Sequence, residues 1–324
     1  MLNKRDFIFD NLRAYAIILV VIGHVLQFNL KNYESLYLYK VIYSFHMPLF
    51  IFISGYFAVY SINKYDSFFK FGIKKIRELL VPYLIFGVPY LMFFETNYSL
   101  STITTTLFTR PEECYWFLFS LFLIQLFFYI NYKLFSKNKI IGFVFILFLL
   151  SIPLKKFTFS ITKYLYLFYL LGVLCSQYRL LFFRMVDFIS RRIILIFASI
   201  VLLLISGEFY FHNINEYYVL FESETFQMKI ITYSLKIFQS LIGILTSIVV
   251  LRFFQNNFNL KFLHNLGASH TLNIYIYHYC FLTFFNFNDS TLNFLLNLCF
   301  SFTMSYLMSI LFKTTLLNKI IFGK

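Results

Sequence analysis

Charge is what this sequence has least of. Only 13% of its 324 residues are charged and 60% are hydrophobic, with a mean hydropathy of +0.73. A soluble globular domain carries about 25% charged residues, and no soluble fold could bury this much apolar surface. The short alternating segments of a membrane β-barrel are missing too. The apolar runs are continuous, as helices crossing a hydrocarbon core of about 30 Å require at roughly 20 residues each. Cysteine is sparse: Cys114, Cys175, Cys280 and Cys299 are scattered, with no CxxC and no His/Cys cluster. Neither a zinc site nor a disulfide framework is expected. The basic N-terminus precedes an apolar run, but no small-residue cleavage site comes after it, only NLKNYESLY. That run is read as an uncleaved first span. Internal repeats, low-complexity linkers and gaps wide enough for a soluble domain are also lacking, so residues 1–324 read as a single membrane domain.

The expected fold class is all-α, a polytopic transmembrane bundle. About ten apolar segments lie near 12–30, 41–60, 79–95, 116–134, 140–154, 161–178, 193–212, 230–251, 272–286 and 292–312. The basic residues orient them, because cytoplasmic loops are enriched in Lys and Arg. With the N-terminus inside, 20 of the 28 Lys and Arg fall on inner segments, seven fall on outer loops and Lys236 lies within a span. Glu95, Glu112, Glu113, Glu208, Glu216, Glu222 and Glu224 all fall outside. Both termini are then expected in the cytoplasm. The net charge of +14 is a topology signal rather than a nucleic-acid footprint.

The first span, LRAYAIILVVIGHVLQF, carries Arg13 and His24. Eleven residues at 100° each return to within about 20° of the same helix face, some 16 Å along the axis. Arg13 is expected at the cytoplasmic mouth and His24 just past mid-membrane. Ionisable groups at that depth usually face a protein interior or a wet cavity. Arg13 alone has a second reading as a positive-inside anchor, and His24 alone as a packing histidine; their shared face favours one functional groove. Asp10 is spaced to pair with Arg13 at i,i+3, and no intramembrane carboxylate is placed to partner His24.

DNLRAYAIILVVIGH resembles the opening of the acyltransferase-3 family of bacterial membrane O-acyltransferases. SFHMPLFIFISGYF (44–57) is similar to that family's second span, and KKIRELLVPY (74–83) to its basic, proline-ended entry to the third. YWFLFSLFLIQ (115–125) is similar to the tryptophan-bearing fourth span, and NLGASHTLNIYIYHYCF (265–281) to a late histidine segment. The stretch 126–264 matches in hydropathy only, and no appended extracytoplasmic hydrolase-like domain is expected.

The resemblance implies transfer of an acyl group, usually acetyl from acetyl-CoA, to a carbohydrate hydroxyl at the bacterial inner membrane. Acetyl-CoA is then the donor, with no permanently bound cofactor. A sugar acceptor and membrane lipid are the remaining partners, and oligomeric state stays open. His24 is the expected general base, since neutral imidazole suits that role near pH 7; an acyl-histidine relay is the alternative. Lys74, Lys75 and Arg77 are candidates for the CoA phosphates, or alternatively topology and lipid-headgroup contacts. Arg13 is a candidate for the CoA head or a carbonyl oxygen. His46, Trp116, Asn273 and His278 are candidate acceptor-binding residues. Each has a structural alternative: packing for His46 and His278, an interfacial belt for Trp116. Pro48 is expected to loosen its helix, and Ser54 and Gly55 to allow close helix contact. His212, His264 and His270 are given no role. Two other functions fit ten spans with buried histidines: a flippase for a polysaccharide intermediate, and a transmembrane acyl shuttle.

Overall fold

A computed structural model describes residues 7–94, 99–110, 114–134, 157–208, 226–287, 289–315 and 321–322. The described residues are helical throughout, with no strand among them. In chain order the helices are α1 (Phe7–Asn29), α2 (Tyr37–Tyr56), α3 (Ala58–Ile62), α4 (Phe68–Lys75), α5 (Val81–Phe94), α6 (Leu100–Thr109), α7 (Trp116–Leu134), α8 (Phe157–Gln177), α9 (Arg179–Ser190), α10 (Ile193–Glu208), α11 (Phe226–Asn257), α12 (Lys261–Ser269), α13 (Thr271–Tyr277) and α14 (Ser290–Phe312). By length and composition, α1, α2, α7, residues Thr232–Asn257 of α11, and α14 can each cross a membrane. A sixth crossing results if α8 and α9 act as one broken span. The segment at 140–154 and the acidic stretch at Glu216, Glu222 and Glu224 lie outside the described residues.

Two runs differ from their sequence reading. The 79–95 run begins as a π turn, Ile76–Leu80, and continues as α5, which has 14 residues. Pro82 has no N–H to return to the Glu78 carbonyl, and the helix widens ahead of it. The 272–286 run is not one helix either. It is α13, seven residues long, then a 3-10 turn at His278–Phe281.

The chain divides into two compact units, Met1–Ile53 with Leu174–Leu311, and Ser54–Val173 with Phe312–Lys324. In the first, α1 is central, packing most extensively on α12 and also on α11 and α13. At the α1–α12 crossing a Cβ on Gly267 would lie 1.6 Å from the Asp10 carbonyl oxygen, so the two backbones touch. Only glycine permits that approach. Lipid tails are as apolar as leucine, so packing and interhelical hydrogen bonds hold membrane helices together. Accordingly, α11 reaches α10 through Gln239 Nε2 to the Ser206 carbonyl (2.8 Å) and Thr246 Oγ1 to the Ser199 carbonyl (3.0 Å). Pro48 leaves α2 unbroken. The carbonyl it frees by its missing N–H is that of Ser44, and the Ser240 hydroxyl of α11 donates to it.

Helix α14 is held in the same way. Its buried residues are Asn293, Asn297, Ser301, Ser305 and Ser309, one every four positions. Leu292, Leu295, Leu307, Ile310 and Leu311 are exposed. Four residues advance about 400°, so the polar line drifts only about 40° per step and stays on one face.

The second unit contains α3 to α7 and most of α8. A Cβ on Gly55 would lie 2.0 Å from the Tyr169 carbonyl oxygen, which is the close helix contact expected of the Ser54–Gly55 pair. The Tyr83 hydroxyl donates to the Leu107 carbonyl (2.7 Å), and Thr162 Oγ1 lies 3.1 Å from Ser120 Oγ.

Two glycine substitutions should separate in thermal unfolding of detergent-solubilised protein. Gly267→Ala should lose at least the ~1–3 kcal/mol of an overpacked core, since backbone must move. Gly72→Ala meets nothing within 4 Å and should gain up to about 1 kcal/mol from helix propensity. Equal melting of the two variants would contradict the α1–α12 contact.

Candidate active site

His24 on α1 meets His278 and Tyr279, which lie more than 250 residues further along the chain. His24 Nδ1 is 2.8 Å from His278 Nε2, with the ring planes within 8° of each other. The Tyr279 hydroxyl lies 3.1 Å from His24 Nε2. His278 Nδ1 lies 3.0 Å from the Ile274 carbonyl oxygen.

That last contact sets the direction of the rest. A carbonyl oxygen only accepts, so Nδ1 of His278 carries the hydrogen. In a neutral ring its Nε2 is then a bare acceptor, and His24 Nδ1–H donates to it. His24 Nε2 is left with the lone pair, and the Tyr279 O–H donates to that. The wire runs Tyr279 to His24 to His278 to Ile274, each member donating to the next. Its chemical consequence is that Nε2 of His24 is the basic atom and a hydroxyl already sits against it. His278 fixes the tautomer and orientation of His24, the part a third group plays behind a catalytic base.

The segment carrying His278 and Tyr279 is anchored by α14 and by the end of α1. Ser301 Oγ donates to the His278 carbonyl at 3.1 Å. Asn29 Nδ2 donates to the carbonyl of Leu282 at 2.8 Å, and its Oδ1 accepts from Asn297 Nδ2 at 2.6 Å. Asn297 also bonds the Phe285 N–H and carbonyl, at 2.8 and 2.9 Å. The 3-10 turn and the residues after it are thus pinned at 278, 282 and 285.

His46 on α2 is buried, with Nδ1 2.8 Å from the Ile42 carbonyl. By the same argument its Nε2 is an acceptor. Its ring lies edge-on to Tyr43, centroids 4.8 Å apart, and it is close enough to act electrostatically on His24. Asn273 is buried on α13, the helix that leads into His278.

Arg13 is anchored at the start of α1. Its Nη1 lies 3.0 Å from Asp10 Oδ1, the i,i+3 pair expected from spacing. Asp10 is almost fully buried, and its Oδ2 lies 3.4 Å from His264 Nδ1, an ion-pair distance rather than a hydrogen bond. His264, given no role from sequence, therefore faces the same carboxylate as Arg13. His270, also given none, is buried with Nδ1 against Ser309 Oγ and its ring edge-on to Tyr306.

In the second unit, Lys74 and Lys75 both reach Glu78, at 3.3 and 2.9 Å. Arg77 lies in the π turn between them and Pro82. Trp116 opens α7, half-buried and edge-on to Phe117. Among the described residues, no three His, Cys, Asp or Glu side chains converge as a metal ligand set would.

A model of the acyltransferase-3 family, described as an acyltransferase domain, matches residues 6–314. The chain belongs to this family. Among curated proteins it is similar to the nodulation protein NolL of Mesorhizobium japonicum, 31% identical over 186 residues. It is also similar to the NolL of Sinorhizobium fredii, 34% identical over 191 residues. Each match covers 54% of this chain, and about half the length of each relative, 49% and 50%. No solved structure matches. The acyltransferase domain match thus spans nearly the whole chain and includes His24, His278 and Tyr279.

Sequence reading found His24 and His278 but not their bond, and it missed Tyr279, Asn297, Ser301 and His264. The signal for the α14 pair was present, as polar residues every four positions in an otherwise apolar helix. For Tyr279 the available signal was its place directly after His278.

The wire fixes tautomers, which nitrogen NMR reads directly. In protein labelled with 15N-histidine at neutral pH, both His24 and His278 should appear as the Nδ1–H form. An Nε2–H form at either residue would reverse the wire and remove Nε2 of His24 as the base.

Proposed function

We propose that this acyltransferase domain transfers acetyl from acetyl-CoA to a hydroxyl of a bacterial surface polysaccharide or its lipid-linked precursor. It would do so from the inner membrane, with about ten spans and both termini cytoplasmic. The observation that carries the reading is the Tyr279 hydroxyl against His24 Nε2, which is where an acceptor hydroxyl would need to sit.

In this mechanism the acceptor O–H displaces Tyr279 and donates to His24 Nε2. As the acceptor oxygen bonds to the thioester carbonyl carbon, its proton passes to Nε2. The C–S bond then breaks, and the imidazolium returns that proton to the departing thiolate. Acceptor and acetyl-CoA become ester and free thiol with no net proton change. His278 Nε2 accepts the Nδ1–H bond throughout and so stabilises the positive ring between the two proton transfers. His46, Asn273 and Trp116 are proposed on the acceptor. Lys74, Lys75 and Arg77 are proposed on the CoA phosphates, where phosphate would compete with Glu78 for the two lysines. Arg13, held by Asp10, is proposed on the donor carbonyl or the CoA head. The curated relatives are named nodulation proteins. Family membership favours this reading over the flippase.

Two variants test it, assayed as transfer of labelled acetyl from acetyl-CoA to surface glycan in membranes. His24→Ala should lose at least the ~100-fold of a general base while inserting normally; retained transfer would remove His24 from the mechanism. Tyr279→Phe deletes a competitor for Nε2. Its apparent KM for acceptor should fall by up to about fivefold, the worth of one hydrogen bond, with turnover little changed. A large loss of turnover would instead give the phenol a chemical part in the step.

A further inference from the structure

Helix α9, RLLFFRMVDFIS, has 12 residues. At 1.5 Å per residue it is about 18 Å long, too short to cross a bilayer by itself. Its composition is that of a helix lying in an interface. Leu180, Leu181, Met185 and Phe188 are exposed, Leu180 to 85%. Before, between and after them stand Arg179, Arg184, Arg191 and Arg192. The helix has one acid, Asp187, and Arg252 of α11 takes it at 2.7 Å. That ion pair ties α9 to α11 and leaves the helix cationic.

Beside it lies a cavity of about 920 Å³ whose walls divide by chemistry. Leu180, Phe183 and Phe188 line it with carbon, and Arg184, Arg191 and Arg192 with guanidinium groups; the Asp187 carboxylate also lines it, its charge met by Arg252. Arg192 is held in place, its guanidinium 3.6 Å over the Phe188 ring and its Nη1 2.7 Å from the Phe188 carbonyl. A guanidinium has five donors, so that bond leaves others for an anion.

We propose that α9 and the turn after it bind an anionic phospholipid, with the phosphate on Arg184, Arg191 and Arg192 and the acyl chains along Leu180, Leu181 and Met185. A soluble phosphate compound would satisfy the arginines but leave the exposed apolar side chains in water. An uncharged lipid would cover the apolar chains and leave three cations without a counter-charge. An anionic lipid matches both halves. The leaflet, cytoplasmic, comes from the proposed orientation; the binding itself does not depend on acyl transfer.

The test uses full-length protein purified from nanodiscs containing equal phosphatidylglycerol and phosphatidylcholine, with retained lipid counted by native mass spectrometry. Wild type should retain phosphatidylglycerol preferentially. The triple variant R184Q/R191Q/R192Q should lose that preference by about fivefold or more, given the strength of a basic residue at a membrane surface. All three arginines are outside the Asp187–Arg252 pair, so that tie remains. Equal retention of the two lipids by wild type overturns the proposal whatever the variant does. So does an unchanged preference in the variant, or displacement of phosphatidylglycerol by added CoA or inorganic phosphate, which would make the cleft a site for soluble phosphate. Acetyl transfer is not read, so failure here leaves the acyltransferase reading standing, and the reverse holds as well.

Discussion

A hydrocarbon core has no water to offer, so backbone polar groups buried in it need partners inside the protein. The Ile274 carbonyl turns that constraint into chemistry. Because it can only accept, it fixes the proton on His278 Nδ1, which fixes the proton on His24 Nδ1, which exposes Nε2. In water each of those rings could exchange tautomers through solvent. Here one backbone oxygen selects the basic nitrogen of a residue two hydrogen bonds away.

The same constraint explains why α14 carries asparagine and serine where a soluble helix would carry leucine. Hydrophobic burial gives little reason for one lipid-facing helix to choose a particular rotation against another. A line of small polar residues does, because Asn293, Asn297, Ser301 and Ser309 reach their partners outside the helix from this one face. Asn297 is the clearest case. It meets Asn29 at the end of α1 and both backbone groups of Phe285, so α14 cannot turn without breaking bonds at both. Those contacts set the height and rotation of the short turn that carries His278 and Tyr279. The geometry at His24 Nε2 therefore depends on a helix that contributes no reacting atom.

What the sequence made legible was whatever lies within one helix. Arg13 and His24 share a face by simple rotation, Asp10 reaches Arg13 by i,i+3 spacing, and Gly55 marks a close crossing. The five family-like segments pointed to His278. The pairing of His24 with His278 was not legible, because hydropathy orders residues along a span and says nothing about which spans touch. The break between α13 and its 3-10 turn was hidden for a related reason: the 272–286 stretch is mostly apolar on both sides of the break, and hydropathy does not register where a helix tightens. Glu78 is a lone acid among basic residues in the sequence, yet it occupies Lys74 and Lys75. His264 reads as a loop histidine in the sequence, but α12 brings it to Asp10.

A carboxylate behind a catalytic histidine is the familiar way to hold an imidazole, and behind His24 this chain has an imidazole instead. The substitution suits the setting. An ionised carboxylate at that depth would need its own partners to offset desolvation. A neutral His278, satisfied by Ile274 at one nitrogen, offers only the acceptor that His24 needs. The trade is a weaker hold on the positive ring than a negative charge would give. A base held this way serves best when the proton stays on it only briefly, as it does if the thiolate leaving group takes it back within the same turnover. It also serves best when water is kept from Nε2 between turnovers. The Tyr279 phenol, 3.1 Å from that nitrogen, would do so in the proposed mechanism until an acceptor hydroxyl replaces it. An imidazole behind the ring and a protein hydroxyl in front of it thus both suit the proposed role, a base working where solvent does not assist it.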